Sequence, residues 1–394
     1  MLRPNTLALT ALLALLTSLG PLSTDMYLPS LPAIVAALGA TVPEGQLTLS
    51  VFLAGFAVGM LVYGPIADRY GRKPLLVVGL CLFLTGTLAC VLAPSIGTLI
   101  AGRFVQALGG CGPVILARSI VRDLYVGARA GQELARMGAF MGFIPAIAPT
   151  IGGVLEAIFG WQSSFVAIGV VGTVILLAVV FRLPETLPAA GPPVSVRAVA
   201  ASFAVVGRDG GFRANVAIVC AAYGGLFAYI SGSSFVLQGG YGMGPVAFGV
   251  AFGLGALSYV CGSLYGQRAV VRVGIDRVLG LGAAINAGAG ALMLAGVLFG
   301  PGHPAELVVP MMLYLGGIGL TLPQATAGAI MPFAARAGAA AALLGFLQMT
   351  AGAVVGVAIG HLVEDAGPLP LALFIACLGV ATLVAYRVTR EVRR

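Results

Sequence analysis

Residues 64–74 read Gly64-Pro-Ile-Ala-Asp68-Arg69-Tyr-Gly71-Arg72-Lys73-Pro74, a short charged stretch between two long apolar runs. The runs cover residues 46–67 and 75–93, and each has about the 20 residues that a helix needs to cross a bilayer. Over the whole chain of 394 residues, 59% are hydrophobic and 9% are charged, whereas a soluble domain carries about 25% charged residues. The stretch therefore predicts a loop between two membrane helices, and the composition excludes a soluble globular protein.

The remainder of the chain divides in the same way. With its loops a membrane helix uses about 33 residues, so the length allows about twelve spans. The predicted spans are residues 7–29, 46–67, 75–93, 96–117, 137–155, 164–183, 214–237, 246–267, 278–299, 305–331, 337–362 and 369–388. The sequence thus predicts an all-α integral membrane protein.

The distribution of charge tests this order of spans, because short cytoplasmic loops retain Lys and Arg. With the N-terminus inside, 20 of the 21 Lys and Arg residues fall in cytoplasmic segments. They are Arg3, Arg69, Arg72, Lys73, Arg118, Arg122, Arg129, Arg136, Arg182, Arg197, Arg208, Arg213, Arg268, Arg272, Arg277, Arg336, Arg387, Arg390, Arg393 and Arg394. The outer segments hold Glu44, Glu156, Glu306, Glu364 and Asp365. Both termini are therefore predicted to be cytoplasmic, and the net charge of +8 needs no nucleic-acid partner.

The longest connection, residues 184–212, is basic and contains prolines at 184, 188, 192 and 193. It predicts an N-terminal six-helix bundle of residues 1–183, a cytoplasmic linker of residues 184–212 and a C-terminal six-helix bundle of residues 213–394. A shift of 203 residues superimposes several residues of the two halves: Gly71 on Gly274, Gly142 on Gly345, Phe143 on Phe346 and Gly153 on Gly356. Two pseudo-symmetric halves that rock about a substrate site near the midplane are a known transporter plan.

Two ionisable side chains, Asp25 and Arg103, fall inside predicted spans at similar depth. A charge there costs about 2.5–3.5 kcal/mol unless it faces a cavity or a partner, so each is a functional candidate. One interpretation is a buried Asp25–Arg103 ion pair that only locks helices together. The other is that Asp25 takes up and releases a proton, in a helix that Pro29 loosens one turn later. Gln106 lies one helical step from Arg103 on the same face.

The loop of residues 64–74 resembles the signature loop of the major facilitator superfamily, G-x-L-A-D-R-x-G-R-K, with Ile66 in place of Leu. The resemblance implies a gate on the cytoplasmic side in which the carboxylate of Asp68 is held by the start of the eleventh helix and by nearby charges. A helix N-terminus stabilises a carboxylate by about 0.3–1 kcal/mol. The implied gating residues are Gly64, Asp68, Arg69, Gly71, Arg72 and Asp123. The corresponding loop of the second half has Val270 near the position of Asp68, which predicts an asymmetric gate.

Further stretches, at residues 25–29, 117–123, 227–238 and 337–348, resemble the Bcr/CflA branch of drug:proton antiporters. Arg103, Gln106, Gly109 and Gly110 resemble the fourth-helix motif R-x-x-Q-x-x-G-G. The resemblance associates Arg103, together with Asp25, with proton coupling.

The fifth predicted helix contains Pro145, Pro149, Gly152 and Gly153, which resemble the G-P-x-x-G-G element characteristic of exporters. Ala148 stands where that pattern has Gly, and it is also small enough for close helix packing. As a purely structural feature, the prolines would kink a helix between its neighbours.

Several aromatic, amide and thioether side chains offer adaptable contact to varied substrates. The residues predicted to bind substrate are Tyr27, Gln106, Tyr229, Phe235, Gln238, Phe346, Gln348 and Met349. Each of them can equally well be a packing residue.

The sequence therefore predicts a proton-coupled exporter of amphipathic small molecules that works by alternating access in the inner (cytoplasmic) membrane of a bacterial cell. The alternative is a transporter of a physiological metabolite such as a nucleoside, a sugar or an amino acid. An enzyme is not expected, because neither His303 nor His361 belongs to a catalytic motif. We expect a monomer surrounded by membrane lipid, with the proton as coupling ion and with no metal or other cofactor.

Overall fold

The structure, a computed structural model, describes residues 6–187, 195–363 and 367–393. Within these ranges every regular element is a helix and there is no strand, so the prediction of an all-α fold is confirmed. Some predicted features lie outside the described residues, namely Arg3, Pro188, Pro192, Pro193, Glu364, Asp365 and Arg394.

The helices are α1, Leu7–Asp25; α2, Leu31–Ala37; α3, Val42–Tyr70; α4, Arg72–Val91; α5, Ile96–Leu124; α6, Gly127–Phe159; α7, Gln162–Arg182; α8, Val196–Arg208; α9, Gly210–Ser234; α10, Pro245–Val273; α11, Ile275–Phe299; α12, Ala305–Ile330; α13, Ala337–Val363; and α14, Pro368–Val388. A 3₁₀ turn, Leu28–Ser30, joins α1 to α2, and a π-helical turn, Phe235–Gly240, continues α9. A second 3₁₀ segment, Met331–Arg336, joins α12 to α13.

Eleven runs of the described chain are long and apolar enough to cross a membrane, and the longest, Ala305–Leu362, holds both α12 and α13. Counted separately, these two helices bring the described chain to twelve spans, with α1 and α2 sharing one and α8 outside them. The predicted architecture of twelve membrane helices is therefore confirmed. The boundaries of the two bundles and the cytoplasmic position of the termini remain predictions.

The helices extend beyond several predicted spans. Only Tyr125 and Val126 separate α5 from α6, so the arginines assigned to that loop lie on helices. They are Arg118, Arg122, Arg129 and Arg136. The linker also contains a helix, α8, that proline and charge content did not predict. The reason is that hydropathy marks where a helix leaves the hydrocarbon, whereas backbone hydrogen bonding continues into water as long as no residue breaks it.

Local sequence explains where several helices begin. Thr41 caps α3 and forms a capping box with Glu44, and Asp209 caps α9 by accepting from the backbone N–H of Phe212. The tight junctions between α3 and α4 and between α10 and α11 are single glycines, Gly71 and Gly274, with φ of +101° and +83°. Glycine adopts such angles without steric cost.

The internal repeat appears in the helix starts. A shift of 203 residues carries Val42, the first residue of α3, onto Pro245, the first residue of α10. The same shift carries Arg72, the first residue of α4, onto Ile275, the first residue of α11. Gly71 and Gly274, which the sequence repeat paired, stand at these equivalent junctions.

Two repeat-related seams join the halves, α6 against α10 and α3 against α13. We call the end with the junctions at Gly71 and Gly274 the basic end, and the other the opposite end. Near the opposite end Gly153 packs on the backbone of Pro245, and a Cβ at Gly356 would meet the hydroxyl of Ser50. The seams are closed there, because small residues let the helices approach closely.

Toward the basic end both seams part. On α6 a Cβ at Gly142 would lie 3.3 Å from Val260, but a Cβ at Gly138 would meet no described atom within 4 Å apart from its chain neighbours and the backbone of its own helix. On the other seam the same open space surrounds Gly64 of α3 and Gly338 of α13. The structure is therefore closed at the opposite end and open at the basic end.

Candidate substrate and proton-coupling site

The first span is interrupted where Asp25 ends α1. We call residues 25–31 the α1 break. The sequence placed the end of this helix at Pro29; instead α1 stops four residues earlier, and the span continues through the 3₁₀ turn and α2 to Ala37. The cause is a pair of prolines, Pro29 and Pro32, that lack the backbone N–H a helix would use.

Side chains of α9 and its π-helical turn donate to carbonyl groups of the α1 break. Because Pro32 has no N–H, the carbonyl of Leu28 accepts no α-helical bond; it accepts from the N–H of Leu31 and, at 2.8 Å, from the hydroxyl of Ser234. The Gln238 amide donates to the carbonyl of Pro29 at 3.0 Å. Both donors belong to the second half of the chain. The α1 break is therefore one of the places where the two halves meet at the opposite end.

Arg103 of α5 is fully buried beside the same break. Its Nη1 donates to the carbonyl of Ser23 at 3.0 Å and to Oε1 of Gln106 at 2.6 Å. Gln106 in turn donates to the hydroxyl of Thr87 at 2.9 Å. Arg103 and Gln106, which were predicted to share one helix face, are thus joined by a hydrogen bond.

Aromatic rings enclose the guanidinium of Arg103. Its Cζ lies 4.3 Å from the ring centre of Tyr27 and 4.2 Å from that of Phe52. Its Nε and Nη2 have no hydrogen-bond partner among the described residues. A buried cation with two free donors is costly unless aromatic faces or a further acceptor stabilise it.

Asp25 lies at the end of α1, only 5% exposed, and accepts a hydrogen bond from the hydroxyl of Thr24 at 2.9 Å. It forms no ion pair with Arg103 within 4.0 Å. The alternative interpretation of a locked Asp25–Arg103 pair is therefore wrong for this conformation. The reason is that Arg103 is turned to the backbone of Ser23, two residues earlier, and into the aromatic rings.

A second polar cluster lies at the basic end, where Arg72 joins two acids. It contacts Asp68 at 2.5 Å and Asp123 at 2.9 Å. The side chain of Asp123 is 15% exposed and that of Asp68 is 66% exposed. Exposed ion pairs contribute about 0–1 kcal/mol, so the contact with Asp123 carries most of the stabilisation.

Two of the expected gate contacts are absent in this conformation. Asp68 is not held by the start of α13, because it is largely exposed and the space around Gly338 is open. Arg69 forms no ion pair with Asp68 within 4.0 Å; its guanidinium lies 5.5 Å from the ring centre of Tyr70 instead. Both differences follow from the parted seams, because the gate contacts need the halves to meet at the basic end.

Glu185, which the sequence did not single out, fixes the start of α4. Its carboxylate accepts hydrogen bonds from the backbone N–H groups of Arg72 and Lys73, and from those of Thr186 and Leu187, at 2.8–3.1 Å. Desolvation opposes ionisation, but these four donors outweigh it and lower the pKa of the Glu185 carboxyl. The linker is thereby attached to the first bundle at the gating loop.

The second half has a related attachment with the charges exchanged. Asp276, in the first turn of α11, pairs with Arg390 at 3.1 Å and with Arg393 at 3.5 Å, both from the segment that follows α14. A cationic segment thus holds an acidic helix start there, whereas in the first half an acidic segment holds a basic one. The asymmetry predicted from Val270 concerns another position and stays a prediction.

The exporter-like element lies on the closed seam. Gly152 packs on the carbonyl of Met26 in the α1 break, and the carbonyl of Pro149 packs on Gly249 of α10. Pro145 and Pro149 interrupt the hydrogen bonding of α6 at this point. The element therefore has a structural role at the contact between the halves.

The predicted substrate contacts do not form one group. Tyr27 and Gln106 lie at Arg103, and Tyr229 stacks on Phe252 at 5.9 Å. Phe235 and Gln238 lie in the π-helical turn beside the α1 break.

The other three predicted substrate contacts are half-buried on α13, namely Phe346, Gln348 and Met349. Met349 accepts a hydrogen bond from the hydroxyl of Tyr223, with 3.7 Å between oxygen and sulfur.

Sequence comparison identifies the family. Residues 13–361 match the Major Facilitator Superfamily. A Bacillus subtilis protein called an uncharacterized MFS-type transporter, YdgK, is 32% identical over 98% of this chain and 96% of its own. The bicyclomycin resistance protein homolog of Haemophilus influenzae is 28% identical over 96% of this chain and 95% of its own. Multidrug resistance protein D of Escherichia coli is 27% identical over 98% and 96%.

Solved structures agree on the fold. A POT family transporter in complex with 5-aminolevulinic acid has a TM-score of 0.79 at 14% identity, covering 98% of this chain and 97% of its own. A peptide transporter POT in complex with sulfate has a TM-score of 0.76 at 17% identity, covering 97% and 93%. The family match and the membrane spans make the protein a multi-pass transporter of the inner membrane and not an enzyme. The chain belongs to the major facilitator superfamily, in which its relatives include proteins named for drug resistance.

Proposed function

We propose that the protein is a proton-coupled antiporter that exports amphipathic small molecules by alternating access. The observation that carries the proposal is the position of Asp25 and Arg103 at the α1 break. Arg103 binds the backbone two residues before Asp25, and the same break provides the carbonyls that Ser234 and Gln238 of the other half bind. A change in the charge of Asp25 therefore acts on the contacts that close the opposite end.

Proton entry has enough driving force for this task. One elementary charge that moves through 100 mV gains about 2.3 kcal/mol. This free energy supports roughly fifty-fold accumulation of substrate per proton. In the proposed cycle a proton reaches Asp25 from outside and the substrate leaves; loss of the proton to the inside restores the open basic end.

The names of the relatives support efflux as the direction. They include a bicyclomycin resistance protein homolog and multidrug resistance protein D. The alternative, export or import of a metabolite such as a nucleoside, a sugar or an amino acid, has the same fold and differs only in the substrate. We prefer drug efflux because the relatives named for resistance cover nearly the whole chain.

The test uses everted membrane vesicles that hold an acid interior and a pH-sensitive dye. A phenicol, bicyclomycin, a nucleoside, a sugar and an amino acid are added in turn, and the release of protons is recorded. Proton release on addition of an antibiotic supports the proposal, whereas a response confined to nucleosides, sugars or amino acids supports the alternative.

Two variants test the role of Asp25. Asp25→Asn is expected to abolish the response. Asp209→Asn is the matched control, because it removes the same charge at the basic end while asparagine caps α9 as well as aspartate does. A response of Asp25→Asn equal to that of the wild type would remove Asp25 as the proton carrier.

A further inference from the structure

A cavity of about 310 Å³ lies between α1, α5 and α6 on the basic side of the α1 break. Its volume is that of a site for a small molecule. It is lined by Thr17, Arg118, Leu134, Met137, Gly138 and Met141. Leucine and two methionines provide an apolar and adaptable wall. Arg118 is the one charged residue in this lining.

Arg118 is exposed in the cavity although it lies within a membrane-spanning helix, six residues before the end of α5. It forms no ion pair within 4.0 Å and no hydrogen bond with any described residue. The hydropathy pattern predicts a cytoplasmic loop for this arginine, where it would need no partner. On a helix of the bundle it faces a space that can hold a ligand.

The other charged groups nearby leave this cation uncompensated. Arg122, one turn later on α5, donates to the hydroxyl of Ser119 and adds positive potential at Arg118. The buried carboxylate of Glu133 is already occupied by the hydroxyl of Thr10 at 2.8 Å and by Arg136 at 2.7 Å. The potential in the cavity is therefore positive, and no carboxylate of the described residues balances the charge of Arg118.

We propose that this cavity binds a small amphipathic anion, with its carboxylate or equivalent group on Arg118 and its apolar body on Leu134, Met137 and Met141. The inference rests on the proposed function, because it names the class of solute that such a transporter takes up from the open basic end. Arginine suits the task because its planar guanidinium binds a carboxylate through two parallel hydrogen bonds.

The test measures the binding of two probes of nearly equal shape, 4-phenylbutyrate and its uncharged amide, 4-phenylbutanamide. The purified full-length protein is placed in nanodiscs of phosphatidylcholine, and calorimetry gives both affinities. A charge-assisted hydrogen bond contributes about 1.5–3 kcal/mol, so we expect the wild type to prefer the anion by about tenfold or more. Equal affinity of the wild type for the two probes would overturn the proposal.

Three variants assign any preference to a residue. Arg118→Gln is expected to bind the anion and the amide with about equal affinity. Arg118→Lys is expected to retain part of the preference for the anion, because the charge remains. Arg122→Gln is the matched control: it removes the same charge one turn away and is expected to keep the preference. Retention of the full preference in Arg118→Gln, or its loss in Arg122→Gln alone, would overturn the assignment to Arg118.

A lipid phosphate offers the same chemistry as a solute carboxylate, so the titrations are repeated with phosphatidylglycerol in the nanodiscs. Unchanged affinity for 4-phenylbutyrate supports a solute site. Displacement of the probe by the anionic lipid would instead assign the cavity to a headgroup and overturn the proposal. Binding is measured without a proton gradient, so failure here leaves the vesicle test of antiport unaffected, and failure of antiport leaves the anion preference intact.

Discussion

The closed seam predicts that one methyl group at Gly153 changes the conformation of the whole protein. A Cβ there would meet the backbone of α10, lying 2.8 Å from the carbonyl carbon of Pro245 and 3.0 Å from Cα of Val246. These atoms belong to a helix backbone and cannot rotate away as a side chain could. In Gly153→Ala, α6 and α10 must therefore separate at the opposite end.

Overpacking of this kind costs about 1–3 kcal/mol. The cost falls on the conformation that closes the seam and is absent when the halves part there. The ratio of the open to the closed seam is therefore expected to rise by roughly 5-fold to 150-fold. The expected direction is toward a state that is open at the opposite end.

The distance between spin labels measures this ratio. Labels at Ile158 on α6 and at Gly244 before α10 report on the opposite end, in a background without the exposed cysteines Cys81, Cys261 and Cys377. The wild type is expected to show one short distance, and Gly153→Ala is expected to add a longer one.

Gly138→Ala is the matched control, because it lies on the same helix and its Cβ would enter open space. Both substitutions raise helix propensity by about 0.5–1 kcal/mol, so this gain cancels in the comparison. An unchanged short distance in Gly153→Ala, or an equal shift in Gly138→Ala, would refute the reasoning from backbone contact.

Three further predictions concern the basic end and Arg103. Glu185→Gln is expected to lower the apparent Tm through a loss of about 1 kcal/mol in the free energy of unfolding. Because the pKa of the Glu185 carboxyl is lowered in the folded protein, this stabilisation is complete above the ordinary pKa of 4.5 and disappears as the pH falls through the lowered pKa. A difference in Tm between the wild type and the variant that persists at low pH would contradict this. Asp123→Asn is expected to cost about 1–2 kcal/mol and Asp68→Asn under about 0.5 kcal/mol, because Asp123 is much less exposed; equal thermal shifts would show that burial does not set the difference. Arg103→Lys replaces a planar cation between aromatic rings, and the emission of Trp161, which contacts Phe165 beside Arg103, is expected to shift; an unchanged spectrum would show that the rings do not depend on the guanidinium.

The sequence by itself determined the class of the protein and the order of its helices. The hydropathy of twelve segments and the position of nearly all arginines between them leave little freedom, because a chain in lipid must satisfy its backbone within helices. The repeat of 203 residues was also present in the sequence, and the glycines at Gly71 and Gly274 stand at equivalent helix junctions.

Only the tertiary structure decided how the charged groups are paired. The sequence predicts that Asp25 and Arg103 lie at similar depth in the membrane, yet Arg103 binds the backbone carbonyl of Ser23 near the end of α1. Ser234, whose hydroxyl binds the carbonyl of Leu28, lies more than 200 residues from Leu28 in the chain, and hydropathy carries no information on such a contact.

The same holds for Arg118 and Glu185. A sequence shows that an arginine lies near a membrane boundary, but it does not show whether the helix continues or what faces the side chain. Glu185 is one acid in a basic linker until the chain folds back and places it under the first turn of α4. Hydrophobic pattern is a property of single helices, whereas charge pairing and open seams depend on how the helices are arranged around each other, and this arrangement is fixed only when they pack.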